Sequence, residues 1–472
     1  MKILLISPCA DPSVRTVRIF VIPQLSLHIL AALTPHEHEV RIVEEEQEEI
    51  DLDSDADLVG ISCFTSNAPR AYLIAQEFRK RGKKVVMGGV HPSILPDEAL
   101  QYADSVVIGE AEEVWEKLLS DFGQGTLKEK YHGSGVSLDR YVPLRFGASM
   151  KKLWFRLLPV MTTRGCPYNC EFCCVFDVYG RTIRHVPVEH VVRQIVEAQG
   201  KICLFLDDNI IGDPPYAKKL FTALIDLKIR WAGQASLSFV KDDEMMRLAA
   251  KSGCAALFFG VESVSQGNLT RMAKAIKDVS GIEEAIKKVH DHGILFHPSF
   301  ILGFDNDTKD IFPDTLEFIL RNRIGTAGFN ILTPYPGTKI YEQFRRENRI
   351  ITTDWRYYNL KHVVFKPRHM SPLELHTGRF WLIKEFTRLS TIACNWRGIP
   401  SSNFGILLSI YLAFTIGYRK EINEDIRKFP SVAPLLFPEE VSDRGIGVRA
   451  RVKASFDEYT KRYKNANQQL PQ

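Results

Sequence analysis

The sequence predicts an α/β protein in three parts: a doubly wound, Rossmann-like domain, a partial (β/α)6 barrel, and a mostly helical C-terminal region. Three observations carry that prediction. Short apolar runs alternate with amphipathic stretches from Lys2 to about Gly337, and apolar strands separated by helices form parallel sheets covered on both faces. A looser stretch, roughly Gly123–Lys151, divides the strands into two series. Beyond about Ile350 the pattern turns helical and aromatic. At 472 residues the chain is too long for one core, and the expected divisions are 1–140, 150–350 and 351–472.

In the first part KILLIS (Lys2–Ser7) is a buried strand, Leu25–Leu33 a short helix, and EVRIVE (Glu39–Glu44) and DLVGISC (Asp57–Cys63) further strands. Arg70–Arg81 is an amphipathic helix, followed by strands KKVVMGG (Lys83–Gly89) and SVVIGE (Ser105–Glu110). Ligands of such sheets lie beyond the carboxyl ends of the strands. There stand Ser7-Pro8, Ser62 to Thr65, Gly88-Gly89-Val90-His91-Pro92 and Gly109-Glu110. Small residues admit a ligand to the backbone, although Gly88 and Gly89 also serve simply to turn the chain. No G-x-G-x-x-G occurs, which disfavours a dinucleotide.

The second series comprises Leu158–Gly165, Ile202–Asp208, Arg230–Ser236, Ala256–Ser263, Leu295–Gly303 and Ala327–Gly337, separated by helical patterns such as Val188–Ala198, Asp242–Ser252 and Ile282–His292. Six βα units fall short of the eight of a closed barrel. Polar residues gather at their ends: Asp207-Asp208-Asn209, Gln234 and Ser236, Glu262-Ser263, then Thr333, Tyr335 and Gly337, with His297 inside the fifth strand. Any one could be a loop polar group, and Asp208 or Asn209 could cap a helix. Together they point to one shared site, because βα loops build the active face of a barrel.

Composition narrows the function classes. A net charge of +4 with interspersed signs disfavours nucleic acid as the main partner. MKILLISPCA reads as a strand rather than a signal peptide, and no apolar run reaches the length of a membrane span. Nine cysteines, four of them between Cys166 and Cys174, are not spread like a secreted disulfide framework. A reducing cytoplasm is the expected setting.

The most specific signal is Gly165-Cys166-Pro167-Tyr168-Asn169-Cys170-Glu171-Phe172-Cys173, a C-x3-C-x2-C spacing directly after the first barrel strand. Thiolates are the usual ligands of iron–sulfur clusters, and three of them hold three irons of a cubane while leaving the fourth open. The rival is zinc in a Cys3His set using His185, although structural zinc favours paired C-x2-C units and a closed fourth position. Cys174 falls outside the spacing.

At these residues the sequence resembles the radical S-adenosylmethionine (SAM) superfamily, whose signature is C-x3-C-x-aromatic-C, with Phe172 in the aromatic position. The resemblance implies that Cys166, Cys170 and Cys173 hold a [4Fe–4S] cluster, and that SAM chelates the open iron. Reductive cleavage then gives methionine and a 5′-deoxyadenosyl radical, the electron coming from a reductant such as flavodoxin or ferredoxin. It also implies that Phe172 lies against adenine, that Asp207 and Asp208 contact the SAM amino group, and that Gln234, Ser236 and Glu262 approach its carboxylate and ribose.

The first part, read beside this barrel, resembles the cobalamin-binding domain of the B12-dependent radical SAM class. The resemblance rests on LSLHILAALTP (Leu25–Pro35), DLVGIS (Asp57–Ser62), GGVHPSILP (Gly88–Pro96) and VIGEAE (Val107–Glu112). Downstream, FLDDNI, FGVES, ILGFDNDT and LTPYPGT fit the same class. It implies that Ser62, Thr65, Gly88, Gly89, His91, Gly109 and Glu110 lie around cobalamin. Two departures stand out. The usual G-E-G-E is Gly109-Glu110-Ala111-Glu112, and no D-x-H-x-x-G supplies an axial histidine, so His91 reads as a loop residue near the ligand. The pairing implies methyl transfer to an unactivated carbon of a small-molecule or lipid substrate. Radical ring contraction or cyclisation is the nearest alternative. A methylthiotransferase would carry a second cysteine triad where this chain has only Cys9 and Cys63, and a non-catalytic sensor would not need the populated strand ends. Phe380, Trp381, Phe386, Ile392, Trp396, Phe404 and the Gly405–Gly417 run read as a helical cap, or as an entrance for an apolar substrate with Arg419-Lys420 facing anionic headgroups.

Overall fold

A computed structural model describes residues 1–10, 22–144, 146, 157–180, 182–272, 276–395, 404–441 and 446–468. Strands β1 (Lys2–Ser7), β2 (Glu39–Glu44), β3 (Leu58–Ser62), β4 (Lys84–Gly88), β5 (Ser105–Gly109) and β6 (Lys130–Gly133) form one parallel sheet in the order β2-β1-β3-β4-β5-β6. Its helices are α1 (Leu25–Leu33), α2 (Ala68–Lys80), α3 (Val90–Ile94), α4 (Pro96–Leu100) and α5 (Trp115–Gly123). Side chains alternate across a strand. Leu4, Ile6, Val59 and Ile61 therefore pack on Ala71, Ile74 and Phe78 of α2, while Ile3, Leu5 and Leu58 pack on Leu27, Trp115 and Leu118. The strand order reverses between β1 and β3, the flavodoxin-like arrangement, which opens a crevice at their carboxyl ends. β6 corrects the sequence reading: it pairs with β5 inside the stretch expected to be loose. Its KYHG is too short and polar to show strand periodicity.

The second sheet contains β7 (Leu157–Val160), β10 (Ile202–Phe205), β11 (Arg230–Ala235), β12 (Cys254–Glu262), β13 (Leu295–Leu302) and β14 (Gly328–Ile331), all parallel, in the order β14-β13-β12-β11-β10-β7. A small antiparallel pair, β8 (Thr163–Arg164) and β9 (Arg184–His185), stands on either side of α6 (Val175–Tyr179). Helices α7 (Val188–Glu197), α8 (Pro214–Leu224), α9 (Asp243–Lys251), α10 (Gln266–Arg271), α11 (Val279–Asp291) and α12 (Ile311–Arg321) follow the barrel strands. Outward residues such as Trp231, Leu257, Phe259, Phe296 and Phe329 bury against them. Trp231 sits between Phe205 and Phe221, with its indole N–H donated to Ser252 Oγ at 3.1 Å.

After α13 (Lys339–Arg346) the chain is mainly helical: α14 (Pro372–Phe386), α15 (Leu389–Asn395), α16 (Phe404–Leu436) and α17 (Ile446–Gln468). Phe380, Trp381 and Phe386 lie in the barrel-side core; Trp396 falls outside the described residues. These helices close the open edge of the half-barrel. Arg379 Nε donates to the Phe329 carbonyl at 2.8 Å, and the Phe329 N–H donates to Tyr418 Oη at 3.2 Å. The Ile331 N–H donates to the Leu360 carbonyl at 2.7 Å, so this parallel sheet edge finds its partners in two helix side chains and one loop carbonyl instead of another strand. Among the described residues no helix is long and apolar enough to cross a membrane.

Candidate active site

Cys166, Cys170 and Cys173 occupy the loop between β8 and α6, half-buried like the adjacent Cys174, and none is in a disulfide. A turn closed by the Cys173 N–H donating to the Cys170 carbonyl at 3.1 Å brings the last two together. Burial pushes the Cys173 thiol up to about 12, with Cys174, Cys170 and Asp208 adding in the same direction. Such a thiol becomes a ligand only when a metal displaces its proton. Among the described residues no three His, Cys, Asp or Glu side chains converge as ligands of a single ion. A cubane asks for a different arrangement, since each thiolate binds its own iron at a separate corner. His185, the zinc candidate, lies 3.2 Å from Asp213 Oδ2, off hydrogen-bonding geometry, with its ring against Tyr216. The loop therefore fits a cluster better than it fits zinc.

The barrel strand ends divide the expected SAM contacts. Asp207 Oδ1 accepts the Thr162 N–H at 3.0 Å, the Thr162 and Thr163 hydroxyls at 2.7 Å, and the Thr163 N–H. Asp207 is thus occupied in fixing the strand that leads into the cysteine loop, and its Oδ2 is buried without a partner. Thr162 and Thr163 occupy only Oδ1, so Oδ2 is the oxygen that keeps an acceptor position for a further donor. Asp208 is half-buried, and burial together with Asp207 pushes its carboxyl up to about 6. Ser236 Oγ lies 2.7 Å from Ser238 Oγ and 3.4 Å from Tyr168 Oη on the cysteine loop. Gln234 is exposed on the concave face of β11. Glu262 is buried, and the register of β12 against β13 shifts between Gly260 and Glu262, where Glu262 takes φ +69°. A left-handed non-glycine residue at a bulge re-aims a side chain at the cost of strain. Phe172 meets Phe304 edge-on, with ring centroids 6.0 Å apart. Phe304 belongs to the loop that Asp307 holds by accepting the N–H groups of Gly303 and Phe304 at 2.8 and 3.0 Å.

In the first sheet Ser62, Thr65, Gly88, Gly89 and Gly109 gather at the carboxyl edge. Gly89 has φ +97°, and a Cβ there would stand 2.7 Å from the Cys63 carbonyl oxygen, so only glycine lets β3 and β4 end this close together. Ser93 Oγ ties the same loop across the edge, donating to the Gly89 carbonyl at 2.7 Å and accepting the Gly109 N–H at 3.0 Å. Phe64, 49% exposed, presents a large apolar face beside them. These small residues and one bare aromatic fit a broad, flat cofactor such as a corrin.

Two expected cofactor contacts are placed elsewhere. His91 is 0% exposed. Its Nδ1 stands 3.3 Å from Thr65 Oγ1 and its Nε2 3.3 Å from Glu98 Oε1, which also accepts from Tyr72 and Trp355 at 2.9 Å. His91 therefore positions Thr65 from inside the fold. Glu110 is buried and binds Arg184 at two oxygens and Arg164 at 3.2 Å, while Arg164 also pairs with Glu112. Against its burial, the two guanidiniums hold the Glu110 carboxyl below its ordinary range. Arg164 precedes the cysteine loop and Arg184 follows it, so the Glu110–Glu112 segment clamps the first sheet onto the cysteine-bearing hairpin. α3 packs against α6 at the same junction. Sequence reasoning missed both arginines. The available signal was their placement on either side of the triad.

Two parallel sheets present their ligand-bearing edges to each other, one edge small-residued and flat, the other carrying a cysteine triad. That is the anatomy of an iron–sulfur enzyme working with a second large cofactor. The family model for the radical SAM superfamily matches residues 160–319, and that for the B12 binding domain matches residues 14–119. Bacteriochlorophyllide d C-12(1)-methyltransferase of Chlorobaculum tepidum is 32% identical over 84% of this chain and 90% of its own length. Bacteriochlorophyllide d C-8(2)-methyltransferase of the same organism is 30% identical over 86% and 93%. The solved radical SAM methyltransferase TsrM from Kitasatospora setae, with cobalamin and [4Fe–4S] cluster bound, shares the fold at TM-score 0.65 and 16% identity, covering 85% of this chain and 89% of that one. The chain belongs to the cobalamin-dependent radical SAM methyltransferases. Its cofactors are a [4Fe–4S] cluster, SAM and cobalamin.

Proposed function

We propose that this methyltransferase alkylates an unactivated carbon of a large, flat, apolar small molecule of the cyclic tetrapyrrole kind. The observation that carries the reading is the barrel lumen. Between the strand ends, where Arg230 and Glu262 stand, its concave positions from Ala232 and Gln234 across Phe258 and His297 to Ser299 and Asn330 carry no charged side chain. Phe258 is 36% exposed in a central parallel strand, where both faces are ordinarily filled. An uncharged mouth with an exposed aromatic, over a floor where Tyr411 of α16 packs on Ala256 and Leu295, suits an apolar macrocycle, and both Chlorobaculum relatives are named for a bacteriochlorophyllide.

Cys166, Cys170 and Cys173 hold the cluster in this reading. Asp208, Gln234, Ser236 and Glu262 receive SAM, with Phe172 against its adenine, and Ser62, Thr65, Gly88, Gly89 and Gly109 receive cobalamin. When bound, these groups supply radical generation and the methyl carrier, with electrons from a low-potential reductant such as flavodoxin or ferredoxin. The protein contributes orientation and exclusion of water. Asp307 and Phe304 hold the loop over Phe172, Asp207 fixes the strand into the cysteine loop, and the Glu110 clamp sets the distance between the sheets. Anaerobic reconstitution tests this. We expect about four irons per chain, 5′-deoxyadenosine from SAM under reductant, and a labelled methyl group transferred to a chlorophyllide. Retention of SAM cleavage after changing all three cysteines to alanine would overturn the cluster assignment.

A further inference from the structure

We infer that the first half of α16 is a docking surface for an anionic lipid bilayer, which it meets with the face opposite the one that floors the barrel.

The two faces of this helix are distinct. Tyr411, Thr415, Tyr418 and Ile422 recur at helical spacing along the inner side. Tyr411, Thr415 and Ile422 are buried. Tyr411 packs on Ala256 and Leu295, and Tyr418 stacks on Phe329. On the other side Leu412 and Ile416, four residues apart and therefore neighbours on one face, are 43% and 65% exposed. One turn further along that face stand Arg419 and Lys420, both exposed. α15 is held to α16 by Tyr411 Oη, which donates to the Ile392 carbonyl at 3.1 Å, and it adds Leu389, 73% exposed at its start.

Charge decides what covers these apolar groups. From Phe386 to Lys420 the sequence holds no aspartate or glutamate, while Arg388, Arg397, Arg419 and Lys420 stand within it. The next two acids, Glu421 and Glu424, are already paired, with Lys361 and with Lys428 at 3.0 Å respectively. An apolar stripe that ends in cations and lacks acids complements a surface that is negative at its headgroups and apolar beneath them. A second copy of the chain, meeting this face with its own, would bring no acid from the stretch to face the cations. The segment that floors the lumen is thus also the one that touches lipid.

The test is anaerobic co-sedimentation of the full-length protein, loaded with cluster and cobalamin, with two kinds of vesicle. One is phosphatidylcholine alone, the other phosphatidylcholine mixed with phosphatidylglycerol. The anionic vesicles are expected to bind at least about tenfold more tightly, and to lose most of that advantage in about 0.5 M salt. Arg419→Gln with Lys420→Gln should weaken binding to the anionic vesicles about tenfold, bringing the two kinds close together. Leu412→Gln with Ile416→Gln should weaken binding to both about tenfold. Iron and cobalamin content, and SAM cleavage without vesicles, are expected to match wild type and report that both variants are folded. Binding that ignores lipid charge, or that survives both pairs of substitutions, overturns the docking surface. A wild type that leaves the anionic vesicles unbound overturns it as well. If that protein is then a dimer in solution that Leu412→Gln with Ile416→Gln disperses, the face belongs to a second copy.

Discussion

Asp207 illustrates how a residue in a cofactor-rich loop can serve the scaffold. One carboxylate oxygen takes two backbone and two hydroxyl donors from Thr162 and Thr163, all buried. Removing the acceptor strands them, at about 1–3 kcal/mol for each unsatisfied group. Asp207→Ala is therefore expected to lower unfolding stability in denaturant by several kcal/mol, whereas Gln234→Ala, on an exposed side chain, should leave it nearly unchanged. Asp307 gives a pH-dependent case. Burial pushes its carboxyl up to about 6, against the donors Gly303, Asn268 and Phe304 that pull the other way. Since the unfolded value is about 3.9, the native state keeps a proton between these limits that the unfolded chain has lost. Its contribution to stability is present below about pH 4 and is lost as pH rises through about 6. Asp307→Asn cannot ionise, so the difference in stability between pH 4 and pH 7 should shrink by up to roughly 3 kcal/mol, as read from denaturant curves.

At the scale of elements, the question is how a half-barrel survives with β14 unpaired. Arg379 of α14 donates to the Phe329 carbonyl, Tyr418 of α16 accepts its N–H, and the Leu360 carbonyl accepts the Ile331 N–H. Tyr418→Phe removes the acceptor for the Phe329 N–H while keeping the ring that stacks on Phe329. We expect a loss of about 1–3 kcal/mol and faster hydrogen exchange at the Phe329 amide, with exchange in β11 and β12 unchanged. The sequence showed helices in this region and a fringe of aromatics, but the helix residues meeting the sheet edge lie 50 and 89 positions along the chain from Phe329. Local periodicity cannot see such a pairing.

At the scale of the molecule, the decisive feature is one ion cluster between two sheets. Glu110 is buried with Arg184 and Arg164 across the junction of the B12-binding and radical SAM parts. Breaking a buried pair from one side costs about 3–5 kcal/mol, because the remaining charges lose their counterion. Glu110→Gln should accordingly split a single cooperative unfolding transition into two and expose the segment 134–144 to limited protease. A single transition at the wild-type midpoint would show that the clamp contributes nothing.

The sequence alone determined the two α/β series, because parallel strands buried on both faces must be written as contiguous apolar runs. It also determined the cysteine triad, because ligands drawn from one loop must be close in sequence. Only the tertiary structure decided which polar residues face outward from those loops. His91 and Glu110 sit at strand ends just as Ser62 and Gly109 do, yet one is locked against Glu98 and Trp355, and the other against Arg164 and Arg184. Their partners come from elsewhere in the chain, and a buried polar group goes wherever its donors are. Spacing specifies which ligands come from one loop; burial and partnership across distant segments specify everything else in the site.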